Sequence, residues 1–213
     1  MSEFFAGKYW QTFLEVLPTI PMETWDTIYS TVLSTALALV IGLPLGVLLV
    51  AGEKGGVLPL PKWVMTLLNG FINLLRSIPF LILMIMVIPL SRLIVGTSIG
   101  TKAAIVPLVI ASFPFVARLI ETSLREVDGG VIEAAQSMGA TPFQIITKVM
   151  IPESLPSLVS NITIAATTIL GYGAMAGIIG GGGLGKVPST TATTASTGFW
   201  NTSPPPCWWC WCR

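Results

Sequence analysis

The side chains that could do chemistry are concentrated in one polar segment, residues 121–153. This segment holds half of the chain's ten acidic residues: Glu121, Glu126, Asp128, Glu133 and Glu153. The chain has no histidine, which argues against a histidine metal site, a serine–histidine triad and a histidine proton relay. The carboxylates are therefore expected to serve recognition, with Glu133 accepting hydrogen bonds or pairing with a basic residue of a partner. We expect no catalytic residue, no metal and no cofactor.

A glycine-rich stretch at residues 180–186, GGGGLGK, superficially matches the G-x4-G-K pattern of a phosphate-binding loop. The next residue is Val187 rather than serine or threonine, and the stretch follows an apolar span rather than a strand. We interpret it as a flexible connection at the outer membrane surface. The chain is thus not expected to hydrolyse ATP, and such chemistry would need a partner.

Helix start and stop signals divide the polar segment into two short helices. Asp128 can begin the first, and Gly139 can end it in the left-handed conformation that glycine tolerates. Thr141 and Gln144 match a capping box for the second, with a proline between them at the first helical position. Pro152 is expected to end that helix. A polar helix-turn-helix between apolar spans is suited to contact a partner in water.

The composition indicates an all-α integral membrane protein. Hydrophobic residues make up 53% of the 213 residues and charged residues 10%, with a mean hydropathy of +0.80; soluble domains average about 25% charged residues. A net charge of +1 gives no field that would attract nucleic acid. Each spanning helix needs about 20 apolar residues. The predicted spans are 27–52, 63–91, 99–119 and 157–180, with 63–91 as one long helix kinked near Pro79.

The remaining boundaries follow from these spans. Residues 1–26 are predicted to be an interfacial lead-in, and residues 27–187 to be the transmembrane domain.

The segments 53–62 and 118–153 hold five basic residues and the other connections hold four. This slight excess favours a cytoplasmic polar segment and an external N-terminus.

Small residues recur every fourth position in the first span. This spacing places them on one helix face, where another helix can approach closely. The expected packing face comprises Ser30, Ser34, Ala38, Gly42 and Gly46.

Two residues within the spans are candidates for a transport pathway. An arginine at membrane depth, such as Arg76, is a functional candidate, and the alternative is an interfacial arginine that reaches the headgroups. Met175 lies in a glycine-rich part of the fourth span, and its residue type alone favours an ordinary core methionine.

The tail, residues 188–213, has a different composition, with Cys207, Cys210 and Cys212 among clustered tryptophans. The three cysteines form no spaced disulfide framework. Codons for residues 207–212, read one base earlier, encode apolar residues typical of a membrane helix. The hypothesis is that a one-base loss near codon 187 removed a fifth helix; a low-complexity tail is the alternative.

The polar segment resembles the EAA loop of ABC-importer permeases, E-A-A-x-x-x-G-x9-I-x-L-P, with Val149 and Ile151 at the positions of I and L. Together with residues 76–80, 95–100, 103–108 and 181–185, it resembles the permease subunits of methionine ABC importers over roughly residues 24–187. The resemblance implies ATPase docking by the residues Glu133, Ala134, Ala135, Met138, Gly139, Ala140, Thr141, Pro142, Phe143 and Pro152.

The resemblance further implies a type I importer fold with five membrane helices per subunit, of which this chain has four. It implies a permease homodimer in the bacterial inner membrane, two ATP-binding cassette subunits, a substrate-binding lipoprotein and a gate at Met175. Small alanines would let the docking helix sit in a groove of the ATPase, with Met138 and Phe143 as apolar anchors.

Other functions stay open at this point. A permease for another amino acid or small solute would have the same architecture. Glycine-interrupted spans also suit a secondary transporter or channel, although no acidic residue lies inside a predicted span to couple ions. An intramembrane enzyme is disfavoured because no metal cluster or paired aspartates lie at membrane depth.

Overall fold

The computed structural model describes residues 17–52, 61–97, 99–178 and 180–186. The predicted tail, residues 188–213, and most of the predicted lead-in lie outside the described residues. A single 3-10 turn, Leu17–Thr19, precedes the first long helix. The helices are α1 Ile20–Ala51, α2 Lys62–Ser77, α3 Phe80–Val95, α4 Thr101–Arg125, α5 Gly129–Ser137, α6 Pro142–Ile145, a π-helical turn Ile146–Met150, α7 Ile151–Glu153 and α8 Leu155–Ile178.

Three of these helices are long and apolar enough to cross a membrane. They are α1, α4 and α8, and the α2–α3 pair becomes a fourth span if its two bent helices count as one. This confirms the predicted all-α membrane architecture. Two of the predicted boundaries are displaced by six residues or more: α1 begins at Ile20, and α4 continues to Arg125. Glu121 therefore lies in a helix rather than in the polar loop. Its charge is tolerated there because it forms ion pairs with Arg118 and Arg125 along α4.

The segment predicted as one long kinked helix is broken in two. α2 and α3 meet at 106°, so the prediction of a continuous helix over 63–91 is wrong. Ile78 and Pro79 have extended backbones, with ψ of 125° and 137°. The ring of Pro79 disfavours a helical conformation at Ile78, and its nitrogen has no hydrogen to donate to the preceding turn.

Polar contacts bring the N-termini of α1 and α4 and the C-terminus of α8 to one end of the structure, called here the glycine-rich end. The Thr101 hydroxyl donates to Asp26 Oδ2 at 2.9 Å. The backbone N–H of Leu184 donates to Thr27 Oγ1 at 2.8 Å, and that of Gly100 donates to the Gly180 carbonyl at 2.9 Å. Residues 180–186 are thus fixed against α1 and α4, and do not form the loose connection that the sequence predicts.

The opposite end, called here the polar end, holds the polar segment and a buried apolar cluster. The cluster joins the ends of α1 and α4 to the short helices, through Ala51, Leu124, Ala135, Ile145 and Met150 among others. α1 and α4 thus run in the same direction, from the glycine-rich to the polar end, and α8 returns. The polar segment is therefore packed onto the spanning helices.

The small-residue face of α1 packs against α4. Ser34 and Ala38 are fully buried, and Gly42 and Gly46 are buried as well. A Cβ at Gly46 would lie 2.8 Å from the Ala117 carbonyl oxygen, so the two backbones are in direct contact there. The close approach that the four-residue repeat predicts is present in the structure.

Candidate functional site

The first helix of the polar segment has a defined beginning and end. Asp128 Oδ1 accepts a 2.8 Å hydrogen bond from the backbone N–H of Gly130, which caps the start of α5. At the other end Gly139 has φ of +79°. Its N–H donates to the Gln136 carbonyl at 2.9 Å, and the Ala140 N–H donates to the Ala135 carbonyl at 3.1 Å. This is a Schellman motif, and it confirms both predicted helix signals.

The second helix begins as the sequence predicts and ends differently. Gln144 Oε1 accepts a 3.0 Å hydrogen bond from the backbone N–H of Thr141, as in a capping box. Pro152, however, does not end the helix, because the chain stays helical to Glu153 after a π turn at Ile146–Met150. In the π turn the Ile151 N–H donates to the Ile146 carbonyl. The hydrogen bonds of a π turn span five residues instead of four, and this wider spacing accommodates Pro152, whose nitrogen has no hydrogen to donate.

The polar segment presents one face to the protein and one to its surroundings. Ala135, Ile145 and Met150 are buried at 4%, 1% and 2% exposure. Met138 and Phe143, by contrast, are 82% and 73% exposed. The exposed positions of the predicted docking set are Glu133, Ala134, Met138, Gly139, Thr141, Pro142, Phe143 and Pro152, with Ala140 half-buried.

Ala135 therefore differs from its predicted placement. Its side chain belongs to the chain's own core, and is not available to line a contact with another molecule. The small side chain of Ala135 instead packs inside the cluster where α5 meets α6 and the π turn. Met138 and Phe143 are free of the core, as two apolar anchors for a partner must be.

A charged cluster at the start of the polar segment was not predicted from the sequence. Glu121, which is 5% exposed, accepts from Arg118 at 2.6 Å and from Arg125 at 2.7 Å. Arg118 also donates to Asn69 Oδ1 at 2.7 Å and to Asn73 Oδ1 at 3.1 Å. The spacing of opposite charges at i+3 and i+4 is a signal that could have indicated the ion pairs, but not the contact with α2.

A second polar contact joins α4 to α8. Asn161 Nδ2 donates to Ser123 Oγ at 2.7 Å and to the Leu119 carbonyl at 3.2 Å. The two contacts together link α2, α4 and α8 near the polar end. A displacement of the polar segment would therefore reach three membrane helices.

The two predicted pathway residues lie in the same region without lining the same space. Arg76 is exposed at the break between α2 and α3, and lines a cavity of about 240 Å³. Tyr172 of α8 also lines it. Met175, three residues further along α8, is 45% exposed and is not among the lining residues.

Replacing Gly139 with valine is expected to destabilise the polar segment by about 1–2 kcal/mol, because a β-branched residue strongly disfavours positive φ. No neighbour lies within 4 Å of the added Cβ, so the effect is conformational. We expect faster proteolysis or hydrogen exchange at residues 136–141. Gly129→Ala is the matched control, since Gly129 has free space and no positive φ. Equal protection in both variants would contradict the requirement for glycine.

Comparison with known proteins shows that this chain is similar to transport proteins. The family model described as "Binding-protein-dependent transport system inner membrane component" matches residues 42–205. The chain is 53% identical over 167 residues to the probable D-methionine transport system permease protein MetI of Vibrio cholerae, which covers 77% of this chain and 72% of the relative. It is 48% identical over 153 residues to the D-methionine transport system permease protein MetI of Escherichia coli K12, which covers 72% and 70%.

Solved structures show the same similarity in three dimensions. A chain from the MetNI methionine ABC transporter in an inward-facing conformation aligns with a TM-score of 0.79 and 40% identity, over 88% of this chain and 92% of that chain. A chain from an amino acid ABC transporter with histidines aligns with a TM-score of 0.68 at 21% identity, over 89% and 83%. The second similarity shows a shared fold.

Proposed function

The chain belongs to the family of binding-protein-dependent transport system inner membrane components, and from this premise we propose that it is the permease subunit of an ATP-driven methionine importer. It is an integral membrane protein of a bacterial inner membrane. Its relatives are named as D-methionine transport permeases, which supports methionine as the transported solute. Hydrolysis of ATP belongs in this proposal to a separate subunit.

The observation that carries the proposal is the two-faced polar segment. Its inner face is buried against α1 and α4, and its outer face exposes Met138 and Phe143. A segment that is buried on one side and exposes two apolar anchors on the other can transmit force from a bound partner to membrane helices. We propose that an ATP-binding cassette subunit binds this outer face, with Glu133 pairing with a basic residue of that subunit.

Two of the similar solved structures are of a transporter named the MetNI methionine ABC transporter, and this supports an assembly of permease and ATPase subunits. We propose two copies of this chain, two ATPase subunits and a substrate-binding lipoprotein at the glycine-rich end. The pathway would lie between the two permease copies, with Met175 at its gate and Arg76 along it. A fifth helix encoded in another reading frame of the tail stays part of the proposal, and resequencing the gene tests it.

Uptake in proteoliposomes tests the proposed function. With the ATPase subunit co-purified and the binding protein added, labelled methionine is expected to accumulate only when ATP is present on the side of the ATPase. A hydrolysis-deficient ATPase subunit is the control and should abolish accumulation. Uptake that persists without ATP would support a secondary transporter instead. Equal competition by unrelated amino acids would favour a permease for another solute.

A further inference from the structure

The cavity beside Arg76 lies at membrane depth, where four helices meet. It is bounded by the break between α2 and α3, through Arg76, Ile78 and Phe80, by the middle of α4, through Ala111, and by the C-terminal part of α8, through Tyr172. Ala111 is ten residues from the first residue of α4, which corresponds to about 15 Å along the helix. This is roughly half of the ~30 Å hydrocarbon core.

The charge of this cavity is unbalanced. Arg76 is the one charged side chain among the described lining residues, and no carboxylate lines the cavity. Within the described part of the chain, Arg76 forms no ion pair or hydrogen bond. An uncompensated guanidinium at membrane depth is costly, and such residues mark substrate pathways or pair with anionic groups. The planar guanidinium matches the two oxygens of a carboxylate.

Three aromatic residues also line the cavity. Phe80, the first residue of α3, stacks on Tyr172 with a centroid distance of 4.7 Å and an interplanar angle of 7°. Phe115 of α4 is a third aromatic lining residue. Aromatic faces attract ammonium groups, and ring edges make favourable contacts with thioether sulfur.

The size and chemistry together select a small zwitterion with an apolar side chain. A volume of about 240 Å³ is below the ~300 Å³ at the lower end of sites for drug-sized ligands. Phe80, the first residue of α3, lines the cavity, so the partially positive N-terminal end of that helix lies beside it.

We propose that this cavity is a binding site for the transported α-amino acid within the permease itself. Arg76 binds the carboxylate, and the rings of Phe115 and Tyr172 contact the ammonium group. The lining residues Leu75, Ile78 and Leu83 contact the side chain of the amino acid. The inference rests on the proposed import function and specifies a site for it. Met175 lies one helical turn from Tyr172 on α8, so a solute that passes Met175 from the glycine-rich end reaches this cavity next.

Ligand analogues with the purified complex of permease and ATPase, reconstituted in lipid nanodiscs, test the site. The probe is labelled L-methionine, displaced by unlabelled methionine or by methionine methyl ester, which has no carboxylate. The unmodified complex is expected to prefer methionine over its ester by about tenfold or more, since hydrogen bonds between charged groups have this strength. In Arg76→Gln this preference should disappear, and Arg76→Lys should retain part of it.

Two further variants separate the site from general damage. Arg92→Gln removes an exposed arginine of α3 that does not line the cavity, and it should bind like the unmodified complex. Tyr172→Leu should weaken binding of methionine and ester alike, so the preference between them remains. The thermal midpoint of Arg76→Gln verifies that the variant is folded.

The possible failures are distinguishable. If the unmodified complex shows ATP-driven methionine uptake and folded Arg76→Gln keeps the full preference for methionine over its ester, the site is wrong and the function stands. If the unmodified complex takes up no methionine with ATP and the binding protein, the proposed function is contradicted, and the methionine site with it.

Discussion

Replacing Gly46 with leucine is expected to prevent the chain from reaching its folded state. A Cβ at this position would lie 2.8 Å from the Ala117 carbonyl oxygen and 2.8 Å from the side chain of Ile120. One of these neighbours is backbone and cannot move aside without displacing α4. Inserting even small groups into a packed core costs about 1–3 kcal/mol, and leucine adds four carbons at the largest helix contact of the structure.

The effect of Gly46→Leu is measured as the yield of monodisperse protein in detergent and its thermal midpoint. Gly46→Ala should give an intermediate result, because its single added carbon makes the same contact. Gly70→Ala is the control on α2, where a Cβ would have no neighbour within 4 Å, and it should leave the yield unchanged. A Gly46→Leu chain with normal yield and midpoint would contradict the direct backbone contact of α1 and α4.

The second large effect is expected at Phe143. Phe143→Asp replaces one of the two exposed apolar anchors of the polar segment with a charge, at a position where the ring is 73% exposed. Aromatic residues at the centre of an interface commonly contribute about 2 kcal/mol or more, which corresponds to roughly 30-fold in affinity. We expect little co-purification of the ATPase subunit and a similar loss of ATP-driven methionine uptake.

The controls for Phe143→Asp depend on the exposed position of the side chain. Because the side chain makes no core contact, Phe143→Asp should insert in the membrane and melt as the unmodified chain does. Phe143→Leu keeps an apolar anchor and should retain most of the ATPase. Normal co-purification with Phe143→Asp would show that the ATPase binds elsewhere on the permease.

Local chemistry explains which features could be predicted from the sequence. The start of α5 at Asp128, its end at Gly139 and the hydrogen bond from Thr141 to Gln144 each depend on residues within a few positions, so the sequence indicates them directly. The packing face of α1 was also accessible, because its four-residue repeat matches the helix period. These features are confirmed in the structure, whereas the docking and gating roles stay predictions.

The features that were missed depend on residues far apart in the chain. The contact of Arg118 with Asn69 spans 49 residues, and nothing near either residue indicates it. The sequence prediction places Glu121 in the loop after the third span, whereas in the structure it lies within α4 and pairs with two arginines of the same helix. The docking of residues 180–186 on α1 depends on Thr27, which is 157 residues from Leu184.

The pair of hydrogen bonds from Arg118 to Asn69 and Asn73 constrains how α2 can move. The two asparagines are one helical turn apart on α2, so both accept from the same guanidinium only when one side of α2 faces α4. Rotation of α2 about its own axis would break both bonds, whereas a joint tilt of α2 with α4 would keep them. The two bonds therefore keep the side of α2 that carries Asn69 and Asn73 turned toward α4 when the two helices tilt together.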